Sequence, residues 1–464
     1  MPFGILSLLS MGSAQDVLTQ EMLMQKGDTF VIRKNYILQD KVLTLPEGKT
    51  LIFDGGSIDR GEIVGNHSDI QVNQTKPAFG LNIKISGVWN VAEVHDGWFS
   101  FDPSSEFVSN QVINNLLAFS NDSTPCHIIL EEDRTYYFEL PYKGRANLGA
   151  VVSTKTVNGN VRRNYSDLLK EEFSYLRIFT IPSNTHLTVN NKLKMLPTSV
   201  GAYFVFWEYG KENITVDGRG TIAGDNDWHR YDKPFTGKNF YGEWGHIFRC
   251  IRCSNFVFKD ITISDAFGDC VINSGSISLE ETESRWSSGM VMENVKVLRA
   301  RRNGVALGMR DVVIRNCVFE DCGSQAVKGT KPMSAIDFEP DGLADFPEIG
   351  NENVMVENCS FKNNYYDIAS YYNNKVAYGK VAVTVRNCKF TAPIDIHDTR
   401  WIRFENCYFP LMGTGAGNNS RMLRATHLDF INCEFGVIDQ EVVKSAKRNH
   451  NTFTNCKFNT AKKN

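Results

Sequence analysis

Asn316-Cys317-Val318-Phe319, NCVF, returns as NCSF at 358–361, NCKF at 387–390, NCYF at 406–409, NCEF at 432–435 and NCKF at 455–458. The steps between the Asn positions are 42, 29, 19, 26 and 23 residues. A fixed tetrapeptide at elastic spacing marks a repeated backbone turn with loops of variable length between copies. Each copy closes a short β-rich run, from VVIRNCVF to NTFTNCKF. Alternation along such a run sends Cys and Phe, two apart, to one face, and predicts both in the interior. The Asn serves the bend, where its amide can bond nearby backbone and where unusual dihedrals are tolerated. NFVFKDITIS reads as an earlier coil with Asn255 at the corner, and ENVKVLRA (293–300) as another.

Coils of this length, rich in β-branched residues and turn-forming Asn and Gly, predict an all-β parallel solenoid. The uneven period argues against a propeller, and the scarcity of long helical patterns against an α/β barrel. The domain reading is a remnant of a secretory signal over 1–15, an N-terminal β cap and entry segment over 16–100, and the solenoid over 101–464. A polar stretch near 141–176 reads as a loop excursion, with a short helix near Ser166–Tyr175. The signal remnant, MPFGILSLLSMGSAQ, implies export to the periplasm or beyond the cell.

The 464 residues carry a net charge of −3 and are 42% hydrophobic, enough for a large core and too balanced for a nucleic-acid binder. No apolar run is long enough to span a membrane as a helix. Oligomeric state is not legible. Six of the eleven cysteines share one slot of the repeat, which predicts a ladder of buried, reduced thiols rather than a disulfide framework. Cys250 and Cys253 form a CxxC inside a strand-like run with no second pair at zinc-site spacing, so they read as structural.

The chain resembles the right-handed parallel β-helix proteins of the pectate-lyase-like superfamily, which includes polygalacturonase-type glycosidases, polysaccharide lyases, uronate epimerases and phage tailspikes. ISGVWNVAEVHDGWF (85–99) is similar to their entry segment, and NITVDGRGTIAGD (213–225) to the coil preceding the site in polygalacturonase-type enzymes. GEWGH (242–246), FGDC (267–270), RRNG (301–304) and KPMSAIDFEPD (331–341) resemble one subgroup in order. The paired Asp-Asp and the Gly-His-Gly of polygalacturonases are missing. The resemblance implies carbohydrate chemistry without naming the reaction.

Aligning GDCVIN, NGVALG and SAIDFEPD as one strand on successive coils points Val271, Val305 and Ile336 inward and Ile272, Ala306 and Asp337 outward. Glu339 lies further along that outer face, and Asp269 marks its edge two coils earlier. Asp269, Asp337 and Glu339 are therefore the candidate catalytic carboxyls, expected in one solvent-accessible groove. Arg301, Arg302, Glu243, Trp244 and His246 are the candidate substrate-binding residues. Asp395 and His397 read as an ordinary surface pair. GDNDWH (224–229) reads as a solvated loop, with substrate contact or calcium binding through its carboxylates as alternatives; no other cofactor or metal is implied. The expected partner is a polysaccharide or oligosaccharide, with acidic sugars favoured by the arginines. The first functional reading is a glycoside hydrolase. A polysaccharide lyase or uronate epimerase is the second, with Lys328 and Lys331 as further neutralising groups. A non-catalytic glycan-binding β-helix is the third.

Overall fold

The computed structural model describes residues 16–104, 108–141, 154–157, 160–163, 176–230, 244–274, 287–324, 333–339, 351–370, 381–396, 399–412, 425–438 and 440–459. The signal remnant at 1–15, Glu243, Lys328, Lys331 and His397 lie outside the described residues. So does most of 141–176, including Ser166–Tyr175; the described part is an antiparallel hairpin of Thr154–Val157 with Asn160–Arg163.

The chain divides into two compact units. The first takes residues up to 104 together with 111–128. Gly61–Val72 pairs in parallel with Val42–Thr44, Thr50–Phe53 and Ile83–Trp89, so this unit is itself built of parallel coils. Residues 111–128, expected in the solenoid, pack here instead. The reason lies in helix Asn110–Leu117, which buries Val112, Ile113, Leu116 and Leu117 on one face. Its Asn115 amide accepts from Ile85 N at 3.0 Å and donates to Ile83 O at 2.9 Å.

The second unit, 105–110 and 129–464, is a right-handed parallel β-helix. One coil runs Trp244–Ile251, Ser254–Lys259, Thr262–Ser264, and returns to Val271–Ser274 beside its start. Cys317, Cys359, Cys388, Cys407 and Cys433 are buried free thiols, and Cys456 at the end is partly exposed. The Phe slot forms a column, with ring centroids 5.4 Å apart for Phe319–Phe361, 5.2 Å for Phe361–Phe390 and 5.1 Å for Phe390–Phe409. Every Asn of the tetrapeptide has a φ between +52° and +55°, a left-handed conformation that costs other non-glycine residues about 1–2 kcal/mol. Their side chains differ from the expected local bond. Asn387, Asn406 and Asn432 each donate to the preceding corner's amide at 3.1, 3.0 and 3.2 Å.

The corner assigned to Asn255 is corrected. Asp260, with φ +55°, holds the place of Asn316 and accepts from Asn294 at 2.8 Å. Ile261 and Ile263 then take the Cys and Phe slots. Asn255 turns a different corner and donates to Asn213.

Candidate active site

The eight-stranded sheet that carries the site includes Trp244–Ile251, Val271–Ser274, Val305–Gly308, Ser334–Phe338, Tyr366–Ser370 and Ile394–Ile396 in adjacent order. Phe248, Val271, Val305, Ile336, Ile368 and Ile394 stand in register. The Phe248 ring meets Phe256 and Phe258 of another sheet, so this row faces the interior. Alternation then turns Arg249, Ile272, Ala306, Asp337, Ala369 and Asp395 outward. Asp337 is on the outer face, as the register argument requires.

At the start of these strands the ladder departs from simple alternation. The consecutive amides of Ile247 and Phe248 both donate to the next coil, to Asp269 O and Cys270 O, and those of Cys270 and Val271 do the same to Asn303 O and Gly304 O. This corner gathers His246, Asp269, Arg302 and Asn303. Gly304 permits the crowding: a Cβ there would lie 2.5 Å from Ala335 O.

Arg302 is the hub. Nη1 donates to Asp269 Oδ2 at 2.9 Å and Nη2 to Glu339 Oε2 at 3.2 Å. Asn303, which the motif reading did not single out, completes the frame. Its N–H donates to Asp269 Oδ1 at 2.9 Å and its Nδ2 to Asp337 Oδ2 at 3.3 Å. Its Oδ1 accepts from Ser334 N at 3.0 Å. The Glu339 carboxyl adjoins Asp337. The structure thus brings Asp269, Asp337, Glu339 and Arg302 into one cluster. Their exposure differs from the open groove expected: Asp269 and Asp337 are fully buried, while the Glu339 side chain is 37% exposed.

Burial sets the electrostatics. It pushes Asp269 up to about 6, against the opposing pull of Arg302 and the Asn303 N–H. Burial, then the neighbouring Glu339, raise Asp337 well above the usual carboxylate range, with Arg302 opposing. Two carboxyls in contact favour holding a proton between them. His246 is buried, and its pKa falls well below the ordinary value through burial and the Arg249 and Arg302 charges. Its Nδ1 accepts from Asp269 N at 3.1 Å, so the neutral ring carries its proton on Nε2. The 3.5 Å approach of Nδ1 to Asp269 Oδ2 is therefore not an ion pair. Nε2 has no hydrogen-bond partner among the described residues.

Arg301 separates from Arg302. It is buried with its guanidinium 4.4 Å from the Phe267 ring centroid, outside the carboxyl cluster. Trp244 is half-buried beside His246, with Arg249 5.3 Å over its ring, so the indole offers a sugar less open surface than expected. Asp395, read as a surface residue, is buried in the Asp337 row. In GDNDWH, Asp225 is not a solvated carboxylate: it accepts from Thr198 N at 3.0 Å, His229 Nδ1 at 2.8 Å and the Tyr203 hydroxyl. Asp227 pairs with Lys194.

The fold and the outer-face carboxyl cluster define the class, a right-handed parallel β-helix with a polar site at the edge of one sheet. No family model matches the chain. It is 32% identical over 202 residues to the uncharacterized protein YclG of Bacillus subtilis (strain 168), which is 43% of this chain and 33% of the relative. The match thus spans about a third of the length of that curated protein. Among solved structures it is similar to the A-module of Azotobacter vinelandii mannuronan C-5 epimerase AlgE4. The identity is 11% over 74% of this chain and 88% of that one, with a TM-score of 0.41. It is also similar to a tailspike protein of E. coli bacteriophage HK620 in complex with a hexasaccharide, at 14% identity, 75% and 62% coverage and a TM-score of 0.42. The catalytic domain of a GH87 α-1,3-glucanase in complex with tetrasaccharides matches at 10% identity, 98% and 67% coverage and a TM-score of 0.40.

Proposed function

We propose that the protein is an exported carbohydrate-active enzyme, a glycoside hydrolase whose acid is the Asp337–Glu339 pair. The observation that carries this reading is three carboxyls gathered around one buried guanidinium, with one of them reachable from solvent. Hydrolysis of a glycosidic bond needs a carboxylic acid to protonate the leaving oxygen and an ionised carboxylate to support the opposite charge. Asp337, raised by burial and by the adjoining Glu339, stores the proton, and Glu339 is the exposed member that brings it to the glycosidic oxygen. Asp269, with its pKa near 6, is ionised at neutral pH and holds Arg302 in place. Contact between Asp337 and Glu339 is closer than the roughly 5 Å or more that separates the usual pair of glycosidase carboxyls. The two therefore act as one proton-sharing unit, with Asp269 as the separate ionised group.

Elimination or epimerisation beside a uronate requires a free cation to neutralise its carboxylate. Within the described carboxyl cluster, Arg302 is already shared by two carboxylates and His246 is neutral, which favours hydrolysis over elimination as the first reading. The test is incubation with a panel of plant, algal and host glycans, with products analysed by mass. A gain of water is the expected result. An unsaturated product end overturns hydrolysis in favour of elimination, and binding without any product overturns catalysis.

A further inference from the structure

Ser334 decides which way the Asn303 amide faces. The Ser334 main-chain N–H, a donor only, meets Asn303 Oδ1 at 3.0 Å, and the Ser334 hydroxyl meets the same atom at 3.2 Å. An amide nitrogen in that place would set donor against donor, so the amide cannot turn over. Met333, immediately before Ser334, has a φ of +59°. That conformation costs a non-glycine residue about 1–2 kcal/mol, and it stands where both Ser334 donors converge on one oxygen.

The fixed amide then decides the state of the next oxygen. Asn303 Nδ2, which can only donate, lies 3.3 Å from Asp337 Oδ2. Oδ2 is therefore an acceptor, the carbonyl oxygen of a neutral carboxyl. A carboxyl has one O–H, so the proton belongs to Oδ1. Asp337 Oδ1 is buried and has no hydrogen-bond partner among the described residues. The adjoining Glu339 is held through Oε2 by Arg302 Nη2 at 3.2 Å, which favours its ionised form. An Oδ1–H beside that carboxylate has an acceptor, whereas an ionised Asp337 there would set charge against charge. Ser334, Asn303 and Asp337 are all fully buried, so water does not compete for these bonds.

The same residue serves the preceding coil. Asn303 N–H donates to Asp269 Oδ1 at 2.9 Å, and Arg302 Nη1 donates to Oδ2 at 2.9 Å. Both Asp269 oxygens are thus acceptors, as an ionised carboxylate requires. Asn303 therefore stands between two buried carboxyls in different states: an ionised one before it and a protonated one after it.

We propose that Asn303, locked by Ser334, is the positioning residue of the acid: it keeps the Asp337 proton on Oδ1, from which the proton passes to Glu339. In that transfer the Asp337 Oδ1–H bond breaks and a Glu339 Oε1–H bond forms. The pair keeps its charge, and its exposed member becomes the acid that protonates the leaving oxygen. The inference rests on the reading of the Asp337–Glu339 pair as the acid.

The test uses the full chain without ligand and reads protonated carboxyls by infrared spectroscopy at about pH 5. Asp337→Asn identifies the Asp337 carbonyl band by removing it, in the wild-type and in each variant background. Asn303→Ala deletes the amide and keeps the main-chain N–H that holds Asp269. Without its donor, the Asp337 carbonyl band moves to higher frequency. Asn303→Asp has the same shape and still accepts from Ser334, so it covers the case in which the alanine variant does not fold. Its band also leaves the wild-type position, because the atom facing Oδ2 is now an oxygen. An unmoved band in either folded variant overturns the proposal, as does the absence of an Asp337 band from the wild-type protein. The second readout is hydrolysis of the plant, algal and host glycan panel. For a glycan that is cleaved, Asn303→Asp lowers kcat about a hundredfold with KM within about twofold of wild type. In Asn303→Ala the basic limb of the pH profile moves to higher pH, since losing a donor to the ionised form raises the Asp337 pKa. Wild-type kcat in folded Asn303→Asp overturns the positioning role. The band shift in a protein that hydrolyses no glycan supports the proton placement and removes the hydrolase reading.

Discussion

The Cys–Phe ladder inside the coils and the Arg302 cluster on their outer face are built at two different turns of the same coils under opposite rules. In the ladder, chemistry is interchangeable. Where Asp260, Ile261 and Ile263 replace Asn, Cys and Phe, the corner keeps its left-handed φ and the slots stay buried. The interior needs only a filled volume and a residue that tolerates the bend. In the cluster, each polar atom depends on a particular donor: Asp269 on Arg302 and the Asn303 N–H, Asp337 on the Asn303 amide. Burying such groups costs stability that an apolar packing would retain. Repetition therefore marks what the fold requires, and unrepeated polar burial marks a candidate for chemistry.

The sharpest way to break this contrast is Glu339→Gln. If the outer cluster is catalytic, turnover falls by about 10²–10⁴ while the melting temperature stays near wild type. Unchanged turnover would reduce the cluster to a structural network. On the ladder side the expectation reverses: Phe361→Ala should cost about 3–5 kcal/mol in denaturant unfolding, without a specific effect on the turnover of the folded fraction. A smaller effect follows at Cys388. Cys388→Ser puts a hydroxyl beside Arg386 O, which the thiol already meets at 3.3 Å, so the cost should be small, about 1 kcal/mol. Thiol counting on denatured, unreduced protein should find the ladder cysteines free; finding them paired would remove the ladder.

The sequence carried the strand register well, because alternation along GDCVIN, NGVALG and SAIDFEPD leaves one consistent choice of inner face. It carried the corners less well. Phe256 and Phe258 imitate the Cys-x-Phe spacing and drew the corner to Asn255, while the true bend at Asp260 lacked the Asn that marks the others. Arg301 and Arg302 look equivalent in a string, yet one stacks on Phe267 and the other bridges carboxylates. Asn303 is a common turn residue, and its partners lie 34 and 31 positions away, so no local pattern could show its part. The depth of Asp269 and Asp337 was also hidden, because burial on an outer face depends on what covers it rather than on strand alternation.

The last prediction concerns Asp337, the buried member of the pair. Asp337 has a folded pKa raised well above the ordinary carboxylate value, chiefly by burial and then by Glu339. Between the unfolded value near 3.9 and the folded one, the native state binds a proton that the unfolded chain has released. Stability from this group is therefore fully present below about pH 4 and is lost as pH rises through the folded pKa. Asp269 and Asp367, both pushed up to about 6 by burial, add the same sign between about pH 4 and 6. Asp337→Asn keeps the shape of the neutral acid and cannot ionise. Its stability should fall less steeply with pH than that of wild type, by about one bound proton in the slope at pH 5–6. Chemical denaturation across pH 4–7 reads this directly. An identical slope in the variant would show that Asp337 is ionised in the folded protein, and the proton-sharing pair would go with it.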